Sequence, residues 1–343
     1  MVGVMKDIDS YGFPVTRTVR DPVLEGTWMV VARADEIGDQ PFATSLLGER
    51  LVLWRDGDEV RAFKDLCIHR GTPLSLGRVE GSTLVCAYHG WRYDGSGRCT
   101  TIPAQPEGTP IPTKARALSY PCAVRYGLVW VAFETPKQPI PEHPEAALED
   151  HRTLLCGPYL LEAEAPRVIE NFLDVSHLMW VHEGYLGLPS HAEIPEHRVH
   201  QRGDRLVSDP ITVLQPDPDG RGGSRTVPNH YVYEVLGPLT VGFRKADLES
   251  DEVFSMLFQV TPIAPRRSAA FALLSRNYAL DAEDRTFIEF QDRIIEQDRL
   301  IVESQRPEEI PLDLQAELHL KSDRLAIAYR RYLRQLGVTV GVA

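Results

Sequence analysis

The sequence predicts an α+β protein in which an all-β domain comes first and an antiparallel sheet with a long helix comes second. Short strand-like runs separated by turns fill residues 26–134, a spacing typical of small sandwiches and barrels. After residue 145, longer strand-like runs alternate with three helical segments, which is typical of a sheet packed around a helix. The proline-rich stretch Thr135–Pro144 separates the halves, so we expect domains at residues 1–138 and 145–343.

Individual elements follow from the same patterns. In the first half, the sequence predicts strands at Trp28–Ala34, Leu51–Arg55, Val60–Lys64, Leu84–Ala87 and Leu128–Phe133, with Asp56-Gly57-Asp58 as a hairpin turn. In the second half, we expect helices over Pro166–Val181, 282–305 and 321–336, strands over Val232–Val241 and Val253–Ile263, and a mobile loop over Gln215–Asn229.

Composition and charge exclude several classes of protein. The chain has 343 residues, of which 43% are hydrophobic and 25% charged, as in soluble two-domain proteins. A net charge of −12 argues against a nucleic-acid partner, which requires a basic face. The N-terminal MVGVMKDIDSYGF lacks the features of a signal peptide, and no apolar run is long enough to cross a membrane. Five scattered cysteines favour a reducing, cytoplasmic environment with metal-binding thiols.

Two Cys–His pairs, Cys67-Ile68-His69 and Cys86-Ala87-Tyr88-His89, are the strongest chemical signal. Two such pairs on two loops can supply two thiolates to one iron and two imidazoles to the other, which is the ligation of a Rieske 2Fe–2S cluster. Gly71 and Gly90 suit sharp turns beside a cluster, and Trp91 would shield it from solvent. A structural zinc site is the alternative, although zinc ligands usually have C-x2–4-C and H-x3–5-H spacing.

A second metal site is indicated by the segment from Asp174 to His182. Asp174 precedes His177 by three residues, so on a helix its carboxylate can hydrogen-bond the ring and fix its tautomer. His177 and His182 are five residues apart, about 140° around an ideal helix. We therefore expect His182 to lie in a frayed or bulged last turn before Gly184. Two histidines with one carboxylate form the ligand set of non-haem Fe(II) oxygenases, which leaves coordination positions open for O2.

The C-terminal helix offers two candidates for that carboxylate, Asp292 and Asp298. An apolar stripe is predicted along this helix, formed by Phe287, Phe290, Ile294 and Ile301. Asp298 falls near the centre of the stripe, whereas Asp292 lies at its edge. Because a charged residue in a buried stripe needs a partner, the phase favours Asp298. An ordinary salt-bridged aspartate is the alternative for this residue.

These motifs resemble those of a known family. The strings CIHRG (67–71) and CAYHGWRYDGSG (86–97) closely resemble the Rieske signature of ring-hydroxylating oxygenases, with Thr72 and Tyr88 where respiratory Rieske proteins carry disulfide cysteines. The run from Asp174 resembles the family's D-x2-H-x4-H motif, and the stretch from Asp298 resembles its D-x4-E motif. The chain is thus similar to the oxygenase (alpha) subunit of Rieske non-haem iron oxygenases, in the homotrimeric branch that hydroxylates or demethylates aromatic compounds.

The resemblance implies an architecture and a set of ligands. It implies an N-terminal Rieske domain followed by a catalytic domain of the helix-grip type. It further implies that the 2Fe–2S cluster is bound by Cys67, His69, Cys86 and His89, and the Fe(II) ion by His177, His182 and Asp298. Related enzymes form head-to-tail trimers, in which Asp174 would bridge His177 to a cluster histidine of the neighbouring subunit. By motif order this histidine is His89.

The resemblance also implies a function. Electrons from NAD(P)H would arrive through a separate reductase or ferredoxin, since the sequence contains no glycine-rich dinucleotide fingerprint. The chain would then activate O2 to hydroxylate, O-demethylate or N-demethylate a small aromatic substrate, with monooxygenation the preferred outcome. Two alternatives stay open at this point: a Rieske electron-transfer protein with a ligand-binding second domain, and a structural zinc protein.

Overall fold

The computed structural model describes residues 20–222 and 226–343. The chain divides between Ile140 and Pro141 into two compact units, and residues 262–265 group with the first of them. This division lies within the proline-rich stretch of the sequence. Among the described residues, no helix is both long and apolar enough to cross a membrane.

The first unit is an all-β assembly of three small antiparallel sheets, with strand orders β1-β11-β10, β2-β3-β4-β9 and β5-β6-β7-β8. The strands are β1 (Met29–Arg33), β2 (Phe42–Leu46), β3 (Glu49–Asp56), β4 (Glu59–Lys64), β5 (Arg78–Glu80), β6 (Thr83–Val85), β7 (Arg92–Asp94), β8 (Cys99–Thr101), β9 (Ser119–Tyr120), β10 (Cys122–Arg125) and β11 (Leu128–Val131). Each strand predicted for this half is confirmed, with ends that differ by a few residues.

The predicted hairpin joins β3 to β4 through Gly57 and Asp58. Asp56 pairs with Glu59, and Gly57 has a φ of 64°, a conformation that two-residue hairpin loops require and that glycine adopts without strain. The alternating side chains of β3 and β4 place Val52, Trp54 and Phe63 in one buried cluster. This cluster also contains Cys67 and Cys86, so the hydrophobic core positions both loops that carry the Cys–His pairs.

The second unit is built on one antiparallel sheet of eight strands, in the order β12-β19-β18-β17-β16-β14-β13, with β15 paired to β16. The elements are β12 (Arg152–Leu161), α1 (Ala165–Leu173), β13 (Val199–Arg202), β14 (Arg205–Ser208), β15 (Ile211–Gln215), β16 (Val227–Gly237), β17 (Thr240–Asp247), β18 (Val253–Ala264), β19 (Arg267–Arg276), α2 (Asp284–Val302) and α3 (Arg324–Leu336). The predicted α+β fold, with a sheet gripping a long helix, is confirmed.

Helix α2 lies against the sheet with a stripe slightly different from the predicted one. Its buried residues are Phe287, Gln291, Ile294, Ile295 and Val302. Ile301 is instead 43% exposed, so its predicted place in the stripe was wrong. Positions 287, 291, 294, 298 and 302 are spaced at three or four residues and therefore share one helical face. Asp298 lies on this face, as the helical phase predicted.

Two further predictions about elements were wrong. The helix expected over Pro166–Val181 ends at Leu173, because Asp174 is extended and accepts a hydrogen bond from the Ser176 N–H, a local bond that competes with helix continuation. The strand expected over Val232–Val241 is two strands, β16 and β17, since Pro238 cannot donate to the ladder. The loop expected over Gln215–Asn229 is bounded by Gln215 and Val227, and its residues 223–225 lie outside the described residues.

Candidate metal centres

The loops that carry the two Cys–His pairs have the same backbone turn. Gly71 N–H donates to the Cys67 carbonyl at 2.9 Å, and Gly90 N–H donates to the Cys86 carbonyl at 3.0 Å. Both glycines have positive φ, 72° and 70°, which explains why glycine occupies each position. Cys67 and Cys86 are each only 1% exposed. The matching turns therefore present both thiols from the hydrophobic core.

The two histidines lie on the solvent side of these thiols. The rings of His69 and His89 have centroids 4.5 Å apart, and His69 stacks on Trp91 at 4.5 Å with an angle of 7° between the planes. His89 is exposed and His69 half-buried. Within the described part of the chain, the buried Nδ1 atom of His69 has no hydrogen-bond partner. An orphaned imidazole nitrogen beside two buried thiols fits the donor set of a Rieske cluster.

Tyr93 is a member of this centre that the sequence reasoning missed. Its hydroxyl lies 3.1 Å from the Cys67 Sγ atom, and the residue is fully buried. Burial, together with Cys67, raises the pKa of the Tyr93 hydroxyl far above its usual value. The neutral hydroxyl can therefore donate a hydrogen bond to a thiolate, and such bonds adjust the potential of an iron–sulfur cluster. The only sequence signal was its place seven residues after the second thiol, Cys86.

A second centre forms where three side chains from two segments converge. His177 lies in a 3-10 turn over Ser176–Met179, His182 lies just beyond it, and Asp298 projects from α2. The Nε2 atoms of the histidines are 3.2 Å apart, and Asp298 Oδ1 lies 3.1 Å from His182 Nε2 and 3.5 Å from His177 Nε2. Donors bound at about 2.1 Å in adjacent positions around one ion are about 3 Å apart. These three residues are thus grouped as a metal site requires.

Two neighbouring amides hold the members of this group. The His182 Nδ1 atom is 2.9 Å from Gln297 Oε1, so Nδ1 carries the proton and Nε2 has its lone pair free for a metal. Asn171 Nδ2 donates to Asp298 Oδ1 at 3.3 Å. Neither amide was singled out from the sequence, because nothing local relates Gln297 to a histidine 115 residues away.

Asp292, the other candidate carboxylate, is occupied elsewhere. Its Oδ1 atom accepts a hydrogen bond of 2.7 Å from the Tyr159 hydroxyl. Asp292 therefore contacts β12, whereas Asp298 contacts the two histidines.

Asp174 lies beside the second centre without being part of the converging group. Its Oδ2 atom is 3.8 Å from His177 Nδ1, an ion-pair distance that is longer than a hydrogen bond. Burial raises the pKa of Asp174, but His177 and the Ser176 N–H lower it more strongly, so the net shift is downward. The side chain is still 38% exposed. Asp174 is thus an ionised carboxylate with one face towards His177 and one towards the surface.

A cavity of about 90 Å³ opens beside the converging group. His177, His182 and Asp298 line it on one side, and aromatic side chains line much of the remainder. Phe172 of α1 stacks on Phe258 of β18, with ring centroids 5.0 Å apart and 6° between the planes. A cavity with a few polar groups and an aromatic wall is typical of a site for a small organic ligand.

The fold and the two centres define a class of protein: an oxygenase component that combines a Rieske-type β domain with a mononuclear metal site on a helix-grip domain. Comparisons with known proteins agree with this class. Residues 27–121 match the Rieske [2Fe-2S] domain, and residues 161–339 match the vanillate O-demethylase oxygenase C-terminal domain. The chain belongs to the Rieske non-haem iron oxygenases.

Individual relatives are similar over nearly the whole chain. The methylxanthine N1-demethylase NdmA of Pseudomonas putida is 33% identical over 321 residues, which cover 92% of this chain and 87% of the relative. The solved structure of NdmA with caffeine has a TM-score of 0.81 at 30% identity, covering 91% and 90% of the two chains. Dicamba monooxygenase with bound dicamba shares the fold, with a TM-score of 0.79 at 22% identity and coverage of 91% and 97%.

Family membership decides between the alternatives left open by the sequence. The chain is an oxidoreductase of the Rieske oxygenase class, with a 2Fe–2S cluster and a non-haem iron as cofactors. Neither the electron carrier without oxygenase activity nor the structural zinc protein is supported. The family also implies a reductase or ferredoxin as the electron donor and a small molecule as the substrate.

Proposed function

We propose that this chain is the terminal oxygenase of a system that demethylates or hydroxylates a small aromatic compound, with N- or O-demethylation the preferred reaction. The observation that carries this proposal is the convergence of His177, His182 and Asp298 on a cavity with an aromatic wall. The likeness to a methylxanthine N1-demethylase over 92% of the chain supports demethylation in particular. Planar rings stack favourably on aromatic side chains, which supports an aromatic substrate.

We assign the cluster to Cys67 and Cys86 for one iron and to His69 and His89 for the other. The burial of both thiols and the unpartnered Nδ1 atom of His69 support this assignment. When bound, the cluster stores one electron at a time and passes it on. Tyr93 would donate a hydrogen bond to the Cys67 thiolate, and Trp91 would cover His69 on its ring face. We further propose domain limits of 1–138 for this part and 145–343 for the catalytic part.

We assign the mononuclear Fe(II) to His177, His182 and Asp298. When bound, this iron supplies the activation of O2. Gln297 keeps the proton of His182 on Nδ1, so that Nε2 faces the metal, and Asn171 holds one oxygen of Asp298. Phe172 and Phe258, whose rings are stacked, would help to exclude water from the cavity and would offer a flat surface to a substrate.

We propose that Asp174 connects the two centres in an assembled enzyme. Its Oδ2 atom is close to His177, and its partial exposure leaves it accessible to another subunit. His89 of a neighbouring copy, whose ring is exposed, would donate a hydrogen bond to it. Such a contact fits a closed, head-to-tail homotrimer. The same proposal places the enzyme in the cytoplasm with an NAD(P)H-dependent reductase or ferredoxin, without a nucleic-acid or membrane partner.

A turnover assay tests the proposed reaction. Purified protein with a surrogate reductase and NADH is offered a panel of N-methylated and O-methylated aromatic compounds, and O2 uptake and formaldehyde release are recorded. Demethylation predicts formaldehyde in proportion to O2 consumed, and the Asp298→Ala variant should release none. O2 uptake that yields only peroxide with every compound, or formaldehyde release that persists in Asp298→Ala, would contradict the proposal.

A further inference from the structure

A buried lysine, Lys245, lies in the wall of the cavity beside the mononuclear site. It projects from β17 and is only 5% exposed. Phe243, two residues earlier on the same face of this strand, lines the cavity as well. A buried lysine is rare unless its charge has a partner, so we expect a partner for the Lys245 ammonium group.

The partners of Lys245 within the protein are few. Among the residues that the structure describes, the only hydrogen-bond acceptor recorded for its ammonium group is the carbonyl oxygen of Pro218. Of the carboxylates on the cavity wall, Asp219 acts most strongly on the charge of Lys245, and Arg221 Nε already lies 2.7 Å from Asp219 Oδ2. An ammonium group has three donors. Lys245 therefore has unused donors next to a cavity. Asp219 and Asp217 favour its charged form through space, but among the described residues neither is recorded as accepting a hydrogen bond from it.

Aromatic rings flank this ammonium group. Tyr231 of β16 and Phe254 of β18 are the direct cross-strand partners of Lys245. The Lys245 Nζ atom is 4.9 Å from the centroid of the Phe254 ring and 5.9 Å from that of Tyr231. Both rings also line the cavity. The cation is thus held between flat apolar surfaces, which would guide a planar ligand towards it.

The cavity places Lys245 away from the metal ligands. A second cavity adjoins the first at Pro218, Asp219, Lys245 and Phe254, whereas a third adjoins it at Asn171 and His177. A ligand with its reacting group at the histidines would therefore direct its other end towards Lys245. The volume of about 90 Å³ is below the roughly 150 Å³ of a cavity that accommodates benzene, so even a single-ring ligand would extend into the adjoining second cavity of about 330 Å³ at Lys245.

We propose that Lys245 determines substrate specificity by binding an anionic oxygen group, such as a carboxylate, on a single-ring aromatic substrate. This inference rests on the proposed function, because it assumes that the substrate occupies the cavity beside the mononuclear iron. A charge-assisted hydrogen bond to the anion would compensate the buried ammonium group. Burial lowers the pKa of Lys245 to about 8, although Asp219 opposes this shift. A bound anion would favour the charged form further.

A purely structural role for Lys245 makes a different prediction. If Lys245 only holds Pro218 in place through the hydrogen bond to its carbonyl, substitution of Lys245 would weaken the binding of acidic and neutral ligands alike. If Lys245 binds an anion, its substitution would weaken the binding of acidic ligands only. The decisive quantity is therefore the ratio of the dissociation constants of an acid and its matched amide. Overall activity does not separate the two roles.

The experiment compares methoxybenzoates with the corresponding methoxybenzamides, pairs of similar shape that differ in charge. Dissociation constants are measured anaerobically by titration calorimetry on the iron-loaded holoenzyme. We expect the wild type to bind at least one acid more tightly than its amide. In Lys245→Met, acid binding should weaken about ten- to a hundredfold, the range of a hydrogen bond to a charged group, while amide binding stays nearly unchanged. Lys245→Arg should keep the preference.

The neighbouring residue supplies a matched control. Arg244 lies on the opposite face of β17 and is exposed, so Arg244→Met should bind both ligands as the wild type does. A wild type that binds no acid of the panel, or none better than its amide, would overturn the proposal without any variant. The proposal would also be overturned if Lys245→Met still bound the acid more tightly than its amide, or if the substitution weakened binding of both ligands equally. A purified protein that lacks iron would instead contradict the proposed function.

Discussion

At the mononuclear centre, each of the three converging side chains has a second contact that limits its freedom. Gln297 holds the ring of His182, Asn171 holds the carboxylate of Asp298, and Asp174 lies 3.8 Å from the ring of His177. Outer contacts of this kind commonly change metal affinity ten- to a hundredfold. The mononuclear centre therefore depends on these contacts as much as on the three ligands themselves.

Substitution of the two aspartates of α2 tests the ligand assignment. Asp298→Ala should lose the mononuclear iron and all turnover, because two histidines alone leave the site without its anionic ligand. The cluster should keep its visible spectrum. Asp292→Ala, a matched change on the same helix, should retain all iron, since Asp292 bonds only Tyr159 among the described residues. Iron analysis together with the visible spectrum distinguishes the two variants. Loss of the mononuclear iron in Asp292→Ala and its retention in Asp298→Ala would make Asp292 the ligand.

The Asp174→Asn variant tests the proposed bridge between centres. The amide keeps the shape of the side chain but removes the charge that strengthens hydrogen bonds from imidazole N–H groups. We expect full metal content and an unchanged assembly, with slow electron delivery. The measurement is stopped-flow reoxidation of the prereduced cluster with substrate and O2 present. Reoxidation at the wild-type rate in a fully loaded variant would rule out the bridge, and loss of iron alone would reduce Asp174 to an orienting role.

At the scale of elements, the mononuclear centre depends on where α1 ends. The helix stops at Leu173, and the chain then turns twice before His182. These turns bring His177 and His182 to one point, which a straight helix could not do because their side chains would diverge by about 140°. Gly187 closes this segment by pairing with Glu183.

A Gly187→Ala substitution should disturb this segment. A Cβ atom at residue 187 would lie 2.7 Å from both the Leu178 carbonyl oxygen and the Met179 Cα atom. Backbone atoms cannot move aside cheaply, so we expect a loss of about 1–3 kcal/mol in the free energy of unfolding together with weaker iron retention. Gly38→Ala is the control, since its Cβ atom would meet nothing within 4 Å. Equal denaturation midpoints and equal iron contents in the two variants would contradict this account of the turn.

Helix α3 is joined to α1 by a buried ionic network. Arg330 Nη2 lies 2.9 Å from Glu170 Oε2, and Arg167 Nη2 lies 2.9 Å from Glu317 Oε1. Arg330→Leu would remove one of the two arginine partners of the buried Glu170 carboxylate. We therefore expect the free energy of unfolding, measured by urea denaturation, to fall by about 3–5 kcal/mol. Arg331→Leu, at the exposed next position of the helix, should be nearly neutral. A cost below about 1 kcal/mol for Arg330→Leu would mean that the network is not a determinant of stability.

At the scale of the whole molecule, the sequence predicted the fold class and the metal-binding residue types because these signals are local. The spacing of Cys67, His69, Cys86 and His89 is sufficient to indicate a Rieske cluster. Gln297, Asn171 and Tyr93 were missed because their roles arise only when distant elements meet. The end of α1 was missed because the Asp174–Ser176 hydrogen bond competes with a helical pattern that continues in the sequence.

The ligand assignments stay predictions, and their common consequence is a metal content that can be counted. Iron and acid-labile sulfide are measured on purified, anaerobically reconstituted protein, together with the electron paramagnetic resonance spectrum of the reduced form. We predict about three irons and about two sulfides per chain, with the rhombic signal of a Rieske cluster. About two irons per chain, unchanged in Asp298→Ala, or zinc in place of iron would contradict the claim that this chain joins a Rieske cluster to a mononuclear iron.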